Sequence, residues 1–596
     1  MMLALIVILP LIMAAFLALL FRNNGSIVKY TALAASIASL LLIIYLYLSI
    51  GSGPFSPQSF QWFSLGNISF NISIITAPIN MFLLLLVGIM TPLIFLYSIG
   101  FMNMQSQQAR FYFEMSIFAA AMMLLAISAS LITMFIAWEM LGVTSYLLIG
   151  FWYWKEKPPA AARKAITIIL IGDMLMLVGI LLIGITYGTF EFSALFSAAP
   201  TPALDTALLL ILLAAFTKSA QFPFHEWLPD AMEGPAPVSA FLHSSTMVKA
   251  GVFLIAVLLP LYISAGLLPV MLIFGLISAI LGVSNALAER HIKKILAYST
   301  IEDLGLMFVA LGLGSLFGAM LLFFVQTFYK GLLFMGAGSL MRANNEREDI
   351  FTNYSSATNK LIFVPIVIGA LSMAGIFPLS GVFGKSAIAS VAEDTNILAY
   401  AVLVLLGLGS SIYIFRWLFI PMSKPFKDEK QIEVNYRITP KTMIAAAIVL
   451  AILVIIAPIF YAYPTLLTLG IFSGSSIPLN EMAEVSVIAL VGLAIAYRIY
   501  RQGHALHVAS ANRPLYVAFY NSIIVNGLYL YLAKAVASAA DAAGYLDLKL
   551  DKLTYSASSA MLSVGSALRK LVNGQTNVYV AAFVIGIVLL LALFIW

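Results

Sequence analysis

Apolar segments of about 20 residues, the length a helix needs to cross a bilayer, recur from Met1 to Trp596 with only short polar breaks between them. This repetition predicts an all-α polytopic membrane protein with about sixteen transmembrane helices. The composition agrees: 62% of the residues are hydrophobic and 9% charged, where a soluble protein carries about 25% charged residues. The first segment, Met2 to Phe21, has no basic residue before it and no small-residue cleavage site with a polar domain behind it, so it reads as a retained span. There is no cysteine, which excludes a disulfide framework, cysteine-ligated iron-sulfur clusters and c-type haem attachment. No cofactor and no metal are expected in this chain. The net charge of +6 is small for the length and its basic residues are scattered among loops, which argues against a nucleic-acid partner.

Residues 51–72 (GSGPFSPQSFQWFSLGNISFNI) are rich in Gly, Ser and aromatics and alternate loosely, which predicts a short hairpin on the membrane surface. Spans follow at 74–101, 111–130, 131–153, 165–188 and 204–222. The loop with Lys155, Lys157, Arg163 and Lys164 is the most basic short loop of this half and is assigned to the cytoplasmic side. The stretch Phe216 to Gly251 contains Pro223, Pro229, Pro235 and Pro237 and cannot be one regular helix. A second interruption, Met373 to Ser390, holds Pro378 and three glycines. Two such breaks at comparable places point to an internal repeat with discontinuous helices along an ion path. The expected organisation is N-terminal helices with the hairpin over 1–110, inverted five-helix repeats over 111–263 and 264–421, further membrane helices over 422–511, an amphipathic region over 512–577 and an anchor over 578–596. In that amphipathic region Leu546, Leu550, Leu553, Ala557, Ala560, Val564, Ala567 and Leu571 form one apolar stripe at helical period. Charged and hydroxyl side chains between them make it too polar to span, so it should lie along the interface or along other subunits.

Charges inside a membrane are costly, by about 2.5 to 3.5 kcal/mol on insertion scales, and are therefore candidates for function. They are Glu139 in IAWEMLG, Asp173 in LIGDMLM, Lys218 in FTKSAQ, His243 and Lys249 in LHSSTMVKAG, Lys294 in HIKKILAYST, Lys330 in QTFYKGLLF and Lys385 in GVFGKSA. Asp173 and Lys249 have an even structural alternative as capping or pairing groups. Lys294 stands near the polar group Glu289, Arg290 and Lys293, where its side chain can snorkel out. Glu139 and Lys218 are the hardest to explain structurally. Desolvation weakens an amine's hold on its proton and a neighbouring carboxylate restores it, so a row of buried lysines linked by His, Ser, Thr and water can pass protons along the bilayer midplane. Glu139 and Lys218 are expected to face one another at about 4 Å, a separation at which opposite charges attract by roughly 4 kcal/mol at an effective dielectric of 20.

The runs WEMLGVTSYLLIGFWY, KSAQFPFHEWLPDAMEGPAPVSAFLHSSTMVKAG, KKILAYSTIEDLGLMF and FPLSGVFGKSA closely resemble the antiporter-like subunits of complex I, of Mrp cation/proton antiporters and of membrane-bound hydrogenases. The likeness covers about 60–420. It implies proton-transfer roles for Glu139, Lys218 and Lys385, with His243, Lys294 and Lys330 bridging them; Lys249 joins the proton-transfer set by its place inside the membrane, and Asp173 and Gln326 are secondary candidates. The amphipathic helix and final span resemble the lateral helix and anchor of the complex I L subunit, a respiratory-chain oxidoreductase subunit. The resemblance implies other membrane subunits as partners, H+ or Na+ as cargo, a plasma-membrane home and no catalytic turnover of its own. The chain departs from the family where two histidines usually stand one turn apart, here Leu322 and Gln326, and at His291 and Leu170, where aspartate and arginine are usual. Gln326 with water is the expected substitute in the relay. Other readings are a Na+/H+ antiporter or hydrogenase membrane subunit, which shares every motif, an ion-coupled module for inorganic-carbon uptake, and a structural scaffold, against which the intramembrane Glu and Lys set speaks.

Overall fold

The computed structural model describes residues 5–50, 57–66, 68–103, 105–352, 360–422, 439–462, 477–501, 523–571, 574 and 576–595. It divides into two units, Met1–Tyr520 and Asn521–Trp596. The first opens with α1 (Leu9–Leu20) and α2 (Gly25–Ile50), then strands β1 (Gln58–Leu65) and β2 (Ile68–Ile74), paired antiparallel with Gln58 opposite Ile74. The hairpin read from the alternating stretch is present; its residues 51–56 lie outside the described ones. It closes one end of the bundle: Ile75 N–H bonds to the Ile127 carbonyl and Ala129 N–H to that of Ser73.

Next come α3 (Pro78–Phe101), α4 (Gln108–Ala126), α5 (Leu131–Ile149), α6 (Lys157–Tyr187), α7 (Pro202–Lys218), α8 (Ala236–Ser244) and α9 (Met247–Ser264). They are followed by α10 (Leu268–Ala288), α11 (Ile292–Gly312), α12 (Leu316–Ala343), α13 (Lys360–Ala374), α14 (Ser380–Thr395) and α15 (Ile397–Met422), then α16 (Lys441–Ala462) and α17 (Leu479–Ala496). Helix starts are set by local chemistry. Ser130, Thr201 and Ser315 accept N–H bonds at the first turns of α5, α7 and α12, and the His291 imidazole does so at α11.

Among the described residues, thirteen helices are long and apolar enough to cross a membrane. The expectation of about sixteen counted pieces that do not qualify singly: α1 and α13 are apolar but short, and α7 has 17 residues. The two interruptions are where the prolines and glycines place them. After α7 the chain turns at Ala220 (φ 49) and runs through short turns to α8, and α13 gives way to α14 through Gly375 (φ 92).

Chain direction fixes two ends. The basic end carries the loop before α6, where Lys164 Nζ lies 2.8 Å from Asp230, which also meets Lys294 at 3.4 Å. At the same end Arg416, late in α15, donates to the carbonyls of Ala286, Leu287 and Glu289. The starts of α15 and α17 lie at the opposite end, joined by Tyr400 and Glu484. Helices α11 and α12 form the centre and are almost wholly enclosed. Helix α11 gets close to α10 because Gly282 has no side chain: a Cβ there would sit 2.7 Å from the Glu302 amide and 2.8 Å from the Tyr298 carbonyl.

The second unit consists of α18 (Ile523–Leu571, 49 residues) and α19 (Thr576–Ile595). At 1.5 Å per residue α18 extends about 73 Å. It begins well before the apolar stripe read from Leu546 onward; residues 512–522 of the expected amphipathic region lie outside the described ones.

Candidate proton path

Two fully buried lysine–aspartate pairs organise the interior. In the first, Lys218 ends α7, and its Nζ lies 3.5 Å from Asp173 Oδ1 on α6, both side chains out of contact with solvent. Helices α6 and α7 meet closely here because of Gly172: a Cβ at that position would fall 1.9 Å from Thr217 Oγ1. The residues one step further on, Asp173 and Lys218, are thereby brought into register. Lys218 also donates to the Trp138 carbonyl at 2.9 Å and sits 4.8 Å from the centre of the Trp138 ring, whose N–H donates to Asp173 Oδ1 at 2.6 Å. A lysine at the last turn of α7 is further favoured by the negative end of the helix dipole.

Glu139 is not the ion-pair partner expected from the sequence. It is half-buried on α5 beside this cluster, close enough to interact with Asp173 and Lys218 through its charge, but the ion pair is made by Asp173. The cause is geometric. Trp138 holds Asp173 by its indole N–H and Lys218 by its carbonyl, so the amine is engaged by α6 and the α5 backbone while Glu139 Oε1 has no hydrogen-bond partner.

The second pair joins Lys330 of α12 to Asp303 of α11 at 3.2 Å, both wholly buried. Lys330 also donates to the Ser299 hydroxyl, and Tyr329 O–H donates to Asp303 at 3.1 Å. Glu302, next to Asp303, takes a hydrogen bond from Tyr413 of α15 and lies within charge range of Lys385 and Lys330. Lys385, on α14 just past the second break, donates to Ser410 at 2.9 Å. Lys249 of α9 has no carboxylate within ion-pair distance among the described residues. Its amine donates to the Phe323 carbonyl and the Thr327 hydroxyl, each at 2.6 Å, and lies within charge range of Asp303 and Lys330.

His243 is fully buried, packs against Phe334 at 5.3 Å, and has no hydrogen-bond partner on either ring nitrogen; Lys293 and Lys330 lie within charge range. Both atoms of the Gln326 amide are likewise buried without a partner. Orphaned groups at this depth are ones that ordered water satisfies. Lys294 is not part of the buried row: its side chain keeps 24% exposure and pairs with Asp230 at the rim. Its neighbour Lys293 turns inward to the carbonyls of Met232 and Gly234.

Sequence reasoning therefore found most of the lysines and missed Glu302, Asp303 and Lys293. The signal for the two acids was in KKILAYSTIEDLGLMF, where two carboxylates follow seven uncharged residues within one span.

A cavity of about 340 Å³ opens at the basic end, bordered by Lys155, Glu233, Lys293, Arg342, Glu346 and Glu348. Glu348 is outside the spans. The His291 imidazole, 3.5 Å away, holds its carboxyl down at about 2, so it is anionic at neutral pH.

A helical membrane bundle with two broken spans and buried ion pairs between them belongs to the antiporter-like class of ion-conducting subunits. Residues 128–411 match the family described as NADH:quinone oxidoreductase/Mrp antiporter, TM, and residues 62–112 match NADH-Ubiquinone oxidoreductase (complex I), chain 5 N-terminus. The NADH-quinone oxidoreductase subunit L of Campylobacter jejuni is 33% identical over 86% of this chain and 88% of its own. The F(420)H(2) dehydrogenase subunit L of Methanosarcina mazei is 30% identical over 96% and 94%. The NAD(P)H-quinone oxidoreductase subunit 5 of the Paulinella chromatophora organellar chromatophore is 34% identical over 69% of this chain and 64% of its own. Among solved structures, a chain of the Mrp complex from Dietzia sp. superposes with a TM-score of 0.72 at 21% identity, covering 99% of this chain and 63% of that one; this is a likeness of fold. The protein belongs to the family of antiporter-like membrane subunits of NADH:quinone oxidoreductases and Mrp antiporters, and its similarity to an NADH-quinone oxidoreductase subunit L covers 86% of its length.

Proposed function

We propose that this chain moves protons across the plasma membrane as the L-type subunit of a quinone-reducing complex whose electron-transfer steps take place in other subunits. The observation that carries the reading is the pair of fully buried lysine–aspartate contacts, Lys218–Asp173 and Lys330–Asp303, each beside a second carboxylate, Glu139 and Glu302. At 3.5 Å and an effective dielectric of 20, the first attraction is about 5 kcal/mol. Separating such a pair withdraws that support from the ammonium while its desolvation remains. The lysine then gives up its proton, and re-forming the pair takes one up.

Protons enter from the polar cavity at the basic end, past Lys293 and His243, and reach Lys330 and Asp303, then Glu302 and Lys385. Water at His243 and Gln326 completes the connections. Lys218, Asp173 and Glu139 act as the switch of the first half. The two sets of five helices, α4 to α9 and α10 to α15 with the broken ones counted as single spans, are read as inverted repeats. The first helix of one runs away from the basic end and that of the other toward it. Cytoplasmic placement of the basic end follows the positive-inside tendency.

The test is proton uptake by vesicles holding the assembled complex. Lys330→Ala and Asp303→Asn should each reduce translocation tenfold or more with assembly intact; wild-type pumping in either variant would falsify the path. The fold likeness to an Mrp chain favours a second reading, cation/proton exchange. Sodium-dependent rates and a sodium gradient built during turnover would support it over the first.

A further inference from the structure

The cavity at the basic end is larger than proton entry requires. Its volume of about 340 Å³ would hold roughly 20 to 30 waters at about 10 to 15 Å³ each, whereas a proton relay needs a single file. Its walls come from the end of α3, the loop between α5 and α6, the turn before α8, the start of α11 and the end of α12. They carry three carboxylates, Glu233, Glu346 and Glu348, and three cations, Lys155, Lys293 and Arg342. Among the described residues, no two of these six are within ion-pair distance of each other. Charges of both signs that face one space without pairing leave room between them for a molecule that carries both.

The cations are held back by other contacts. The Lys293 amine donates to the carbonyls of Met232 and Gly234, and all three carboxylates lie within its charge range. Arg342 Nη1 donates to the carbonyls of Gly100 and Phe101, each at 2.9 Å, which pins the guanidinium to the end of α3 and leaves its donors on Nη2 and Nε for another acceptor. Lys155 lies 4.5 Å from the centre of the Trp152 ring. Glu346 is placed by an unusual turn. Its N–H closes α12 on the Met341 carbonyl at 2.8 Å, a closure that helices commonly make with glycine, yet here Asn345 and Glu346 take φ of 58° and 60°. Side chains disfavour that region, and such strain gathers where a side chain's position matters. Finally, Trp154 borders the cavity and is exposed, as is its neighbour Tyr153. Exposed Trp and Tyr on a membrane protein mark the level of the lipid headgroups.

We propose that this cavity seats an aminophosphate, the phosphate ester of an amino alcohol, supplied as the head of an ethanolamine phospholipid. The phosphate meets Lys155 and Arg342, and the primary ammonium meets Glu233, Glu346 and Glu348. A choline head fits the same charges but has no N–H to give the carboxylates, and a glycerol head brings no cation. The inference stands apart from the route that protons take.

The test uses the assembled complex, stripped of lipid in detergent, mixed with equal amounts of phosphatidylethanolamine, phosphatidylcholine and phosphatidylglycerol, repurified, and its retained lipid counted by mass spectrometry. Wild type should retain the ethanolamine lipid at least fivefold over the other two. The double variant Glu233→Gln/Glu346→Gln should lose that preference and turn toward phosphatidylglycerol, because the cations remain. Lys155→Gln, a change in an exposed loop, should weaken retention of both lipids severalfold. A site with only a packing role would not exchange one headgroup for another. Glycerophosphoethanolamine separates the two sources of the ligand: competition at the lipid's own concentration places the occupant in solution, and failure to compete at hundredfold excess places it in the bilayer, the aminophosphate chemistry holding in both. Equal retention of the three lipids by wild type, or an unchanged preference in the double variant, overturns the proposal.

Discussion

A lysine alone in an apolar span announces itself, but its partner does not. Lys218 and Lys330 were legible because no uncharged explanation accounts for an amine at that depth. Their carboxylates come from neighbouring helices, and which acid meets which amine depends on helix rotation and close approach, set for the first pair by Gly172. The Lys293–Lys294 dipeptide shows the limit. Successive residues on a helix point about 100° apart, so one of the two faces the core and the other the rim, and composition does not say which. The structure moves the ion pair of the first half to Asp173, and the mutational expectation moves with it. Asp173→Asn and Lys218→Ala should each lower proton translocation about tenfold or more in an assembled complex, and the double variant should be little worse than either single one, as for coupled neighbours. Glu139→Gln should also impair pumping, and Glu139→Asp less. Simple addition of the Asp173 and Lys218 losses would mark the pair as inert. Gln326 offers a second residue-scale test. A leucine at this position removes the polar site that holds water beside the path. Gln326→Leu is therefore expected to slow turnover severalfold with assembly intact; unchanged turnover would remove Gln326 from the relay.

Elements were read more securely than contacts. The hairpin, both broken spans and the position of the last helix follow from alternation, proline placement and length, and these are properties of the chain itself. The division of the broken spans was less legible, since α7, α13 and α14 stop where tertiary packing lets them. The start of α18 at Ile523 was missed because its first turns carry no clean stripe. Close helix packing is itself testable: Gly172→Ala places a methyl where Thr217 Oγ1 now sits. Overpacking of this kind costs about 1 to 3 kcal/mol, and by pushing α7 away it should weaken translocation beyond the loss of stability, measured at a temperature where the complex is fully folded. Removal of α18 and α19 by ending the chain before Ile523 is expected to leave the first unit inserted while lowering assembly or pump yield. Wild-type yield from that truncation would show that the apolar stripe from Leu546 to Leu571 docks on nothing needed.

At the scale of the molecule, the absence of cysteine ligands and of a dinucleotide fingerprint predicts that the purified single subunit binds neither iron nor flavin; stoichiometric iron or flavin in it would contradict that. The distribution of polar and apolar space has an electrical consequence. A polar cavity of about 340 Å³ at the basic end admits solvent and sustains little of the transmembrane voltage, so the potential falls mainly over the enclosed remainder of the bundle. Each elementary charge that crosses that remainder works against about 2.3 kcal/mol for every 100 mV, which makes the buried lysines and carboxylates, and not the vestibule, the place where stored membrane voltage is felt.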